Sequence, residues 1–177
     1  MGRYMVYTMN AGPIHGPQWK ASADHLASQT PAHVFCGQEI NDRIAERFEN
    51  AGWLRTDPRF LGKGERTEHT PQLMIAAWPS LALSITTLQQ QSKSVVHKPS
   101  VASHWLTAYV QWRWYMSGQE GLTVTNVHIH RDIVGEDGGQ EMQRTFSMLA
   151  QDLRSGGVRL VCGDLNKGLL LLAAHME

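Results

Sequence analysis

Apolar and polar positions alternate almost from the first residue, which predicts a strand over Arg3 to Thr8. Tyr4, Val6 and Thr8 fall on one face and Met5 and Tyr7 on the other, because successive strand side chains point to opposite sides. Asn10-Ala11-Gly12-Pro13 ends this strand with turn formers. From Trp19 to Ser28 the spacing becomes helical, with Trp19, Ala23, Leu26 and Ala27 on one face. Pro31 closes the link, and Ala32 to Cys36 reads as a short buried strand. Ile40 to Ala51 predicts a second helix: Ile40, Ile44 and Phe48 recur every four residues, and Gly52 is its natural stop.

Thr56 to Thr70, "TDPRFLGKGERTEHT", is polar and glycine-containing and predicts an exposed loop. Leu73 to Trp78 and Leu81 to Leu88 predict two strands around Pro79-Ser80, and the polar stretch Gln89 to Ser100 predicts a mobile connection. Val101 to Met116 is a long run of β-formers; Ser117 to Gly121 reads as a turn and Leu122 to His130 as the returning strand of a hairpin. Gln140 to Leu153 predicts a helix with Met142, Phe146, Leu149 and Leu153 on one face, closed by Gly156-Gly157. Val158 to Cys162 is the last clear strand. Hairpins interleaved with helices predict a layered α/β fold with mixed sheets.

The length of 177 residues fits one ordinary domain with a real core. Lys+Arg and Asp+Glu are both 16, so the formal net charge is zero. That balance weakens tight non-specific binding of DNA or RNA, although a local basic cleft on a neutral protein still permits a nuclease. Cys36 and Cys162 each lie in an apolar run; two are too few for a disulfide framework and match no zinc spacing, so reduced thiols are expected. "MGRYMVYTMN" lacks a signal-peptide apolar core, and Leu169 to Ala174 is too short to cross a bilayer. A targeting peptide removed earlier would leave no trace, so the compartment stays open. Trp105, Trp112 and Trp114, with Tyr109 and Tyr115, make one predicted strand unusually aromatic. They read as sheet packing, with an aromatic docking face as the sharper alternative.

Candidate chemistry gathers at strand ends. Asn10 follows the first strand, Gln38-Glu39 the second, and Asp164 and Asn166 the last, in "VCGDLN". In "VTNVHIH" period two places His128 and His130 on one strand face. Converging carboxylates and amides can hold a hard cation such as Mg2+, and a nearby histidine can move a proton. Each residue also has a plainer reading: Asn10 as a turn former, Glu39 at the positive end of a helix, His128 as a packed histidine.

The order of these pieces carries more than any one of them. Asn after the first strand, Gln-Glu after the second, Asn-x-His, a helix and then Gly-Asp-x-Asn resembles the endonuclease/exonuclease/phosphatase, or DNase I-like, superfamily. The resemblance runs from about Arg3 to Asn166. It implies an α/β (α+β) fold in which a two-layer β-sandwich is flanked by helices, a four-layer αββα arrangement, with residues 1–177 as one domain. It also implies roles. Glu39 would be the Mg2+ ligand, with Asn10 beside metal and phosphate. Asp164 would orient or activate the attacking water, Asn166 would hydrogen-bond a phosphate oxygen, and His128 would assist the leaving group. His130 matches no family role. The activity implied is hydrolysis of a phosphodiester or phosphomonoester, with nucleic acid among the candidate substrates. The loops Thr56–Thr70 and Gln89–Ser100 show no base-reading or lipid-binding signature.

The family's pattern continues past Gly-Asp-x-Asn to a final Asp-His pair, whereas only Lys167 to Glu177 follow here. His175, in "LLAAHME", lacks the preceding Asp. The fold is therefore expected to be incomplete at its C-terminus, and catalysis by this chain absent or impaired. The alternative is a non-catalytic subunit of a larger assembly, its open sheet edge and apolar tail covered by protein partners.

Overall fold

In the computed structural model the described residues are 5–11, 21, 24, 25, 28, 33–57, 59–60, 72–95, 98–116, 119–130, 139–158, 160–166, 172, 173 and 176. In chain order they form β1 (Val6–Asn10), β2 (Val34–Ile40), α1 (Asp42–Asn50), β3 (Leu54–Arg55), β4 (Arg59–Phe60), β5 (Gln72–Ala77), β6 (Ala82–Val95), β7 (Lys98–Met116), β8 (Gln119–His128), α2 (Gly139–Ser155) and β9 (Leu160–Asp164). Ala21, Asp24, His25 and Ser28 are helical, as the first helix predicts; Trp19, Ala23, Leu26 and Ala27 lie outside the described residues.

The strands make two sheets. One is ordered β1-β2-β5-β3, with β4 also on β5; the other is β6-β7-β8-β9. Alternation sends Val34 and Cys36 of β2, and Leu73, Ile75 and Ala77 of β5, toward the second sheet. There they meet Leu106, Ala108 and Val110 of β7 and Leu122 and Val124 of β8. The opposite face of the first sheet, through Phe35, Met74 and Ala76, packs on Ile44, Ala45 and Phe48 of α1. The outer face of the second, through Trp105 and Val127, packs on Phe146, Leu149 and Leu153 of α2. The layers thus run helix, sheet, sheet, helix, as the resemblance implies. Both faces of β5 are covered, which is why "QLMIAA" is buried throughout.

A helix the length of α1 is marginal alone in water and is held by docking. Its ends are well made. Asn41 caps it by accepting from the Ile44 N–H at 3.0 Å. At the other end Gly52 has φ 87°, its N–H donates to the Glu49 carbonyl, and the Trp53 N–H donates to the Phe48 carbonyl. Ile40, Ile44 and Phe48 share one cluster as their spacing predicts, but Ile40 is the last residue of β2, not the first turn of the helix.

Several expectations change. Gln89 to Ser100 is no mobile connection: β6 runs to Val95, β7 starts at Lys98, and the two pair antiparallel. Ladder hydrogen bonds form regardless of side-chain polarity, and that hides such a strand from hydropathy. Thr56 is buried just past β3, with its hydroxyl and N–H both on Ile75, and β4 pairs with β5, so these parts of Thr56–Thr70 are not an exposed loop; 58 and 61–70 lie outside the described residues. β8 ends at His128, leaving His130 beyond the strand. Trp105 and Trp112 are buried and serve packing, not docking. Cys36 and Cys162 are free thiols in the sandwich interior, and burial, then the neighbouring Cys162, pushes the Cys36 thiol up.

Candidate active site

Parallel pairing at two sheet edges builds the site. β1 lies parallel to β2 with Asn10 opposite Gln38, and β8 lies parallel to β9 with His128 opposite Asp164. Parallel strands deliver their C-terminal ends to the same side, and the two pairs come together at one end of the sandwich.

Asn10 sits between two carboxylates. Its Nδ2 donates to Glu39 Oε1 at 3.2 Å and to Asp164 Oδ2 at 2.9 Å. His128 Nε2 lies 3.2 Å from the same Glu39 oxygen. The Asn166 N–H donates to Asp164 Oδ1 at 3.0 Å, and its side-chain Nδ2 donates to the Ile129 carbonyl. Asn166 has φ 43°, in the left-handed region that asparagine tolerates best among non-glycine residues. Sites tens to more than a hundred residues apart therefore converge: Asn10, Glu39, His128, Asp164 and Asn166 form one connected group.

Glu39 reaches this group by an irregular route. It lies within β2, not after it, at a bulge between Gly37 and Ile40, and its φ is 54°. That conformation costs roughly 1–3 kcal/mol for a non-glycine residue. The kink aims its carboxylate along the sheet end instead of into either core.

Burial lowers the pKa of His128, although Glu39 and Asp164 pull it upward and His130 adds to the lowering. Its Nε2–H then donates to Glu39, and its buried Nδ1 has no partner among the described residues. His104, which the sequence reading passed over, lies opposite His128 on β7 and is buried, with its Nδ1 likewise unpartnered. Its pKa falls from 6.5 to about 4, by burial first and then by the charges of His128 and His130. Only cross-strand register reveals this neighbour; in "VASHWLTAYV" it is one polar residue in an apolar run.

His104 gives the fold a pH dependence. The unfolded chain takes up its proton near 6.5 and the native state only near 4. The neutral native form is fully favoured above pH 6.5, and up to about 3 kcal/mol is lost as pH falls from there to about 4. Urea midpoints measured from pH 7.5 to 4 should drop across this window, and His104→Phe should flatten the drop. An equally steep drop in the variant would assign it to other groups.

The chemistry of the donor set would suit a hard cation such as Mg2+. Two carboxylates flank one amide beside a neutral histidine, and no Lys or Arg pairs with Glu39 or Asp164 among the described residues. Such a pocket of negative charge attracts a hard cation, and Mg2+ commonly uses only one or two carboxylates with water and phosphate oxygens. Among the described residues no group of three or more His, Cys, Asp or Glu forms a ready cage, so water would complete the shell. Glu39 would be the principal ligand, with Asn10 beside it.

No family model matches this sequence, and no curated protein matches it in sequence. Solved structures do match. D. rerio TDP2, humanized by 14 mutations, superposes with TM-score 0.60 at 15% identity over 97% of this chain and 66% of that one. A mannosyl-6-phosphatase from Bacteroides thetaiotaomicron VPI-5482 gives 0.63 at 11% identity, over 98% of this chain and 70% of that one. ANGEL2, described as a 2',3'-cyclic phosphatase, gives 0.57 at 16% identity, over 86% of this chain and 44% of that one. The chain has the endonuclease/exonuclease/phosphatase, DNase I-like, fold. It spans about two thirds of TDP2 and under half of ANGEL2.

Proposed function

We propose that the chain carries a Mg2+-assisted phosphoester hydrolase site. One observation carries this reading: Glu39 and Asp164 both accept from Asn10, next to neutral His128, with no cationic side chain paired to either carboxylate among the described residues. Glu39 would hold Mg2+, which would supply positive charge where phosphate oxygens gain negative charge. The other roles belong to the chain's own residues. Asp164 has both oxygens tied, one to Asn10 and one to the Asn166 N–H, so it presents a fixed lone pair to a water. His128 carries a proton on Nε2 at the rim of the site and assists the leaving oxygen. Asn166 donates one Nδ2 hydrogen to the Ile129 carbonyl, which leaves the second N–H to donate to a phosphate oxygen.

The final Asp-His of the family pattern has no counterpart among residues 167–177, and His175 lies outside the described residues. The alternative reading, a non-catalytic subunit with protein partners, drew on the apolar tail. Leu172 of that tail is buried against Trp105, Val127 and Phe146 of the chain itself. No helix among the described residues is long and apolar enough to cross a membrane.

The test is an aryl phosphodiester that releases a coloured phenolate. Hydrolysis with Mg2+ should stop on addition of EDTA and return with excess Mg2+. Release that persists in EDTA, or none even at high enzyme concentration, would remove the proposal.

A further inference from the structure

The first observation is the distorted placement of Glu39. A left-handed, bulged glutamate needs something to hold it, and the ladder cannot, because β2 and β5 lose register between Gly37 and Ile40. The space is already tight: a Cβ on Gly37 would come within 2.5 Å of the Ile40 side chain. A buried pair of amides fills the gap. Asn126, from β8 in the opposite sheet, donates from Nδ2 to the Gly37 carbonyl at 2.8 Å and to the Met74 carbonyl at 3.0 Å. These carbonyls belong to the last register pair before the bulge. Asn126 Oδ1 in turn accepts from Gln38 Nε2 at 2.6 Å, and Gln38 Nε2 also faces Thr8 Oγ1 at 3.2 Å. Gln38 and Asn126 are 1% and 0% exposed.

The positions of these residues are informative. Gln38 immediately precedes Glu39, Asn126 stands two before His128, and Thr8 stands two before Asn10. One buried clasp thus ties the three strands that carry Asn10, Glu39 and His128. Asn126 is bonded at both its oxygen and its nitrogen, and Gln38 Nε2 also donates to the Cys36 carbonyl at 3.1 Å, so the buried amides are held from several sides.

We propose that the Gln38–Asn126 clasp is the positioning device of the site: it holds the Gly37–Ile40 bulge in the one conformation that turns the Glu39 carboxylate toward Asn10 and His128. Neither amide touches substrate or metal. The proposal rests on the Mg2+ reading of Glu39.

Mg2+ titration by calorimetry tests it on the whole chain. Asn126→Ala should raise the Mg2+ Kd by about 10–100-fold, the usual effect of losing a residue that orients a ligand. Thr125→Val, on the same strand as Asn126, removes an equally buried bond, to Thr107 Oγ1 of β7 at 2.8 Å, and should leave the Kd unchanged. Gln38→Met, which keeps the two carbonyl bonds of Asn126, should move the Kd the same way by less, and serves if Asn126→Ala does not fold. Loss of affinity in Thr125→Val equal to that in the clasp variants would reduce the effect to general destabilisation and overturn the proposal. Wild-type affinity in Asn126→Ala, or in Gln38→Met should it stand in, while Glu39→Ala binds nothing, would overturn the clasp and leave the metal site standing. Equal Mg2+ affinity in wild type and Glu39→Ala, or none in wild type, would remove the metal reading itself and the clasp with it.

Discussion

Glu39→Ala loses Mg2+-dependent phosphoester hydrolysis by about 10³-fold or more while keeping its thermal midpoint close to that of the wild type. The rate effect follows from charge. Glu39 is the carboxylate shared by Asn10 and His128, and a cation polarising a phosphoryl oxygen is worth several kcal/mol of barrier, about 1.4 for each tenfold. The stability effect stays small because the Glu39 side chain is partly open to solvent, so water can replace it against the Asn10 amide and the His128 N–H. Glu39→Gln separates charge from shape: it fills the same space without the negative charge and should be nearly as inactive. Steady-state rates with and without Mg2+, beside thermal melts, check both halves. Unchanged turnover would move catalysis away from this site.

Gly163→Ala is the most damaging single-methyl change expected. Gly163 has φ 131°, a conformation an L side chain rarely adopts. A Cβ there would lie 2.0 Å from the Val127 carbonyl oxygen and 2.7 Å from its nitrogen. The obstacle is backbone in the paired strand, so no rotamer change relieves it. β8 and β9 must separate, and the register that sets His128 opposite Asp164 is lost with them. Strain and broken pairing together should cost about 4 kcal/mol or more, enough to unfold a marginal domain. A large fall in the urea midpoint, with any remaining folded protein inactive, is the expected result; a midpoint within about 1 kcal/mol of wild type would show that β9 can shift.

How legible the site was depended on which contacts made it. Asn10, Glu39, His128, Asp164 and Asn166 stand out because their residue types and order imply chemistry, and the structure brings all five together. His104 and Asn126 do not stand out. Each looks like an ordinary polar residue in a strand, and its importance comes from a partner far away in sequence: His128 across a register pair, and two carbonyls in the other sheet. The polar β6–β7 hairpin was missed for a related reason, since backbone pairing needs no apolar side chains.

Local pattern determined the helices of 42–50 and 139–155, the stop at Gly52, the hairpin of β7 with β8, the buried strands at Val34 and Leu73 and the half-buried strand at Leu160, because each depends on periodicity or on one residue's backbone freedom. The tertiary structure alone decided that β5 and β6 part into different sheets, that Glu39 sits on a bulge, and that two amides from opposite sheets close over it. These are choices among long-range partners. They depend on which buried donors find acceptors once the layers pack, and no window of neighbouring residues contains that information.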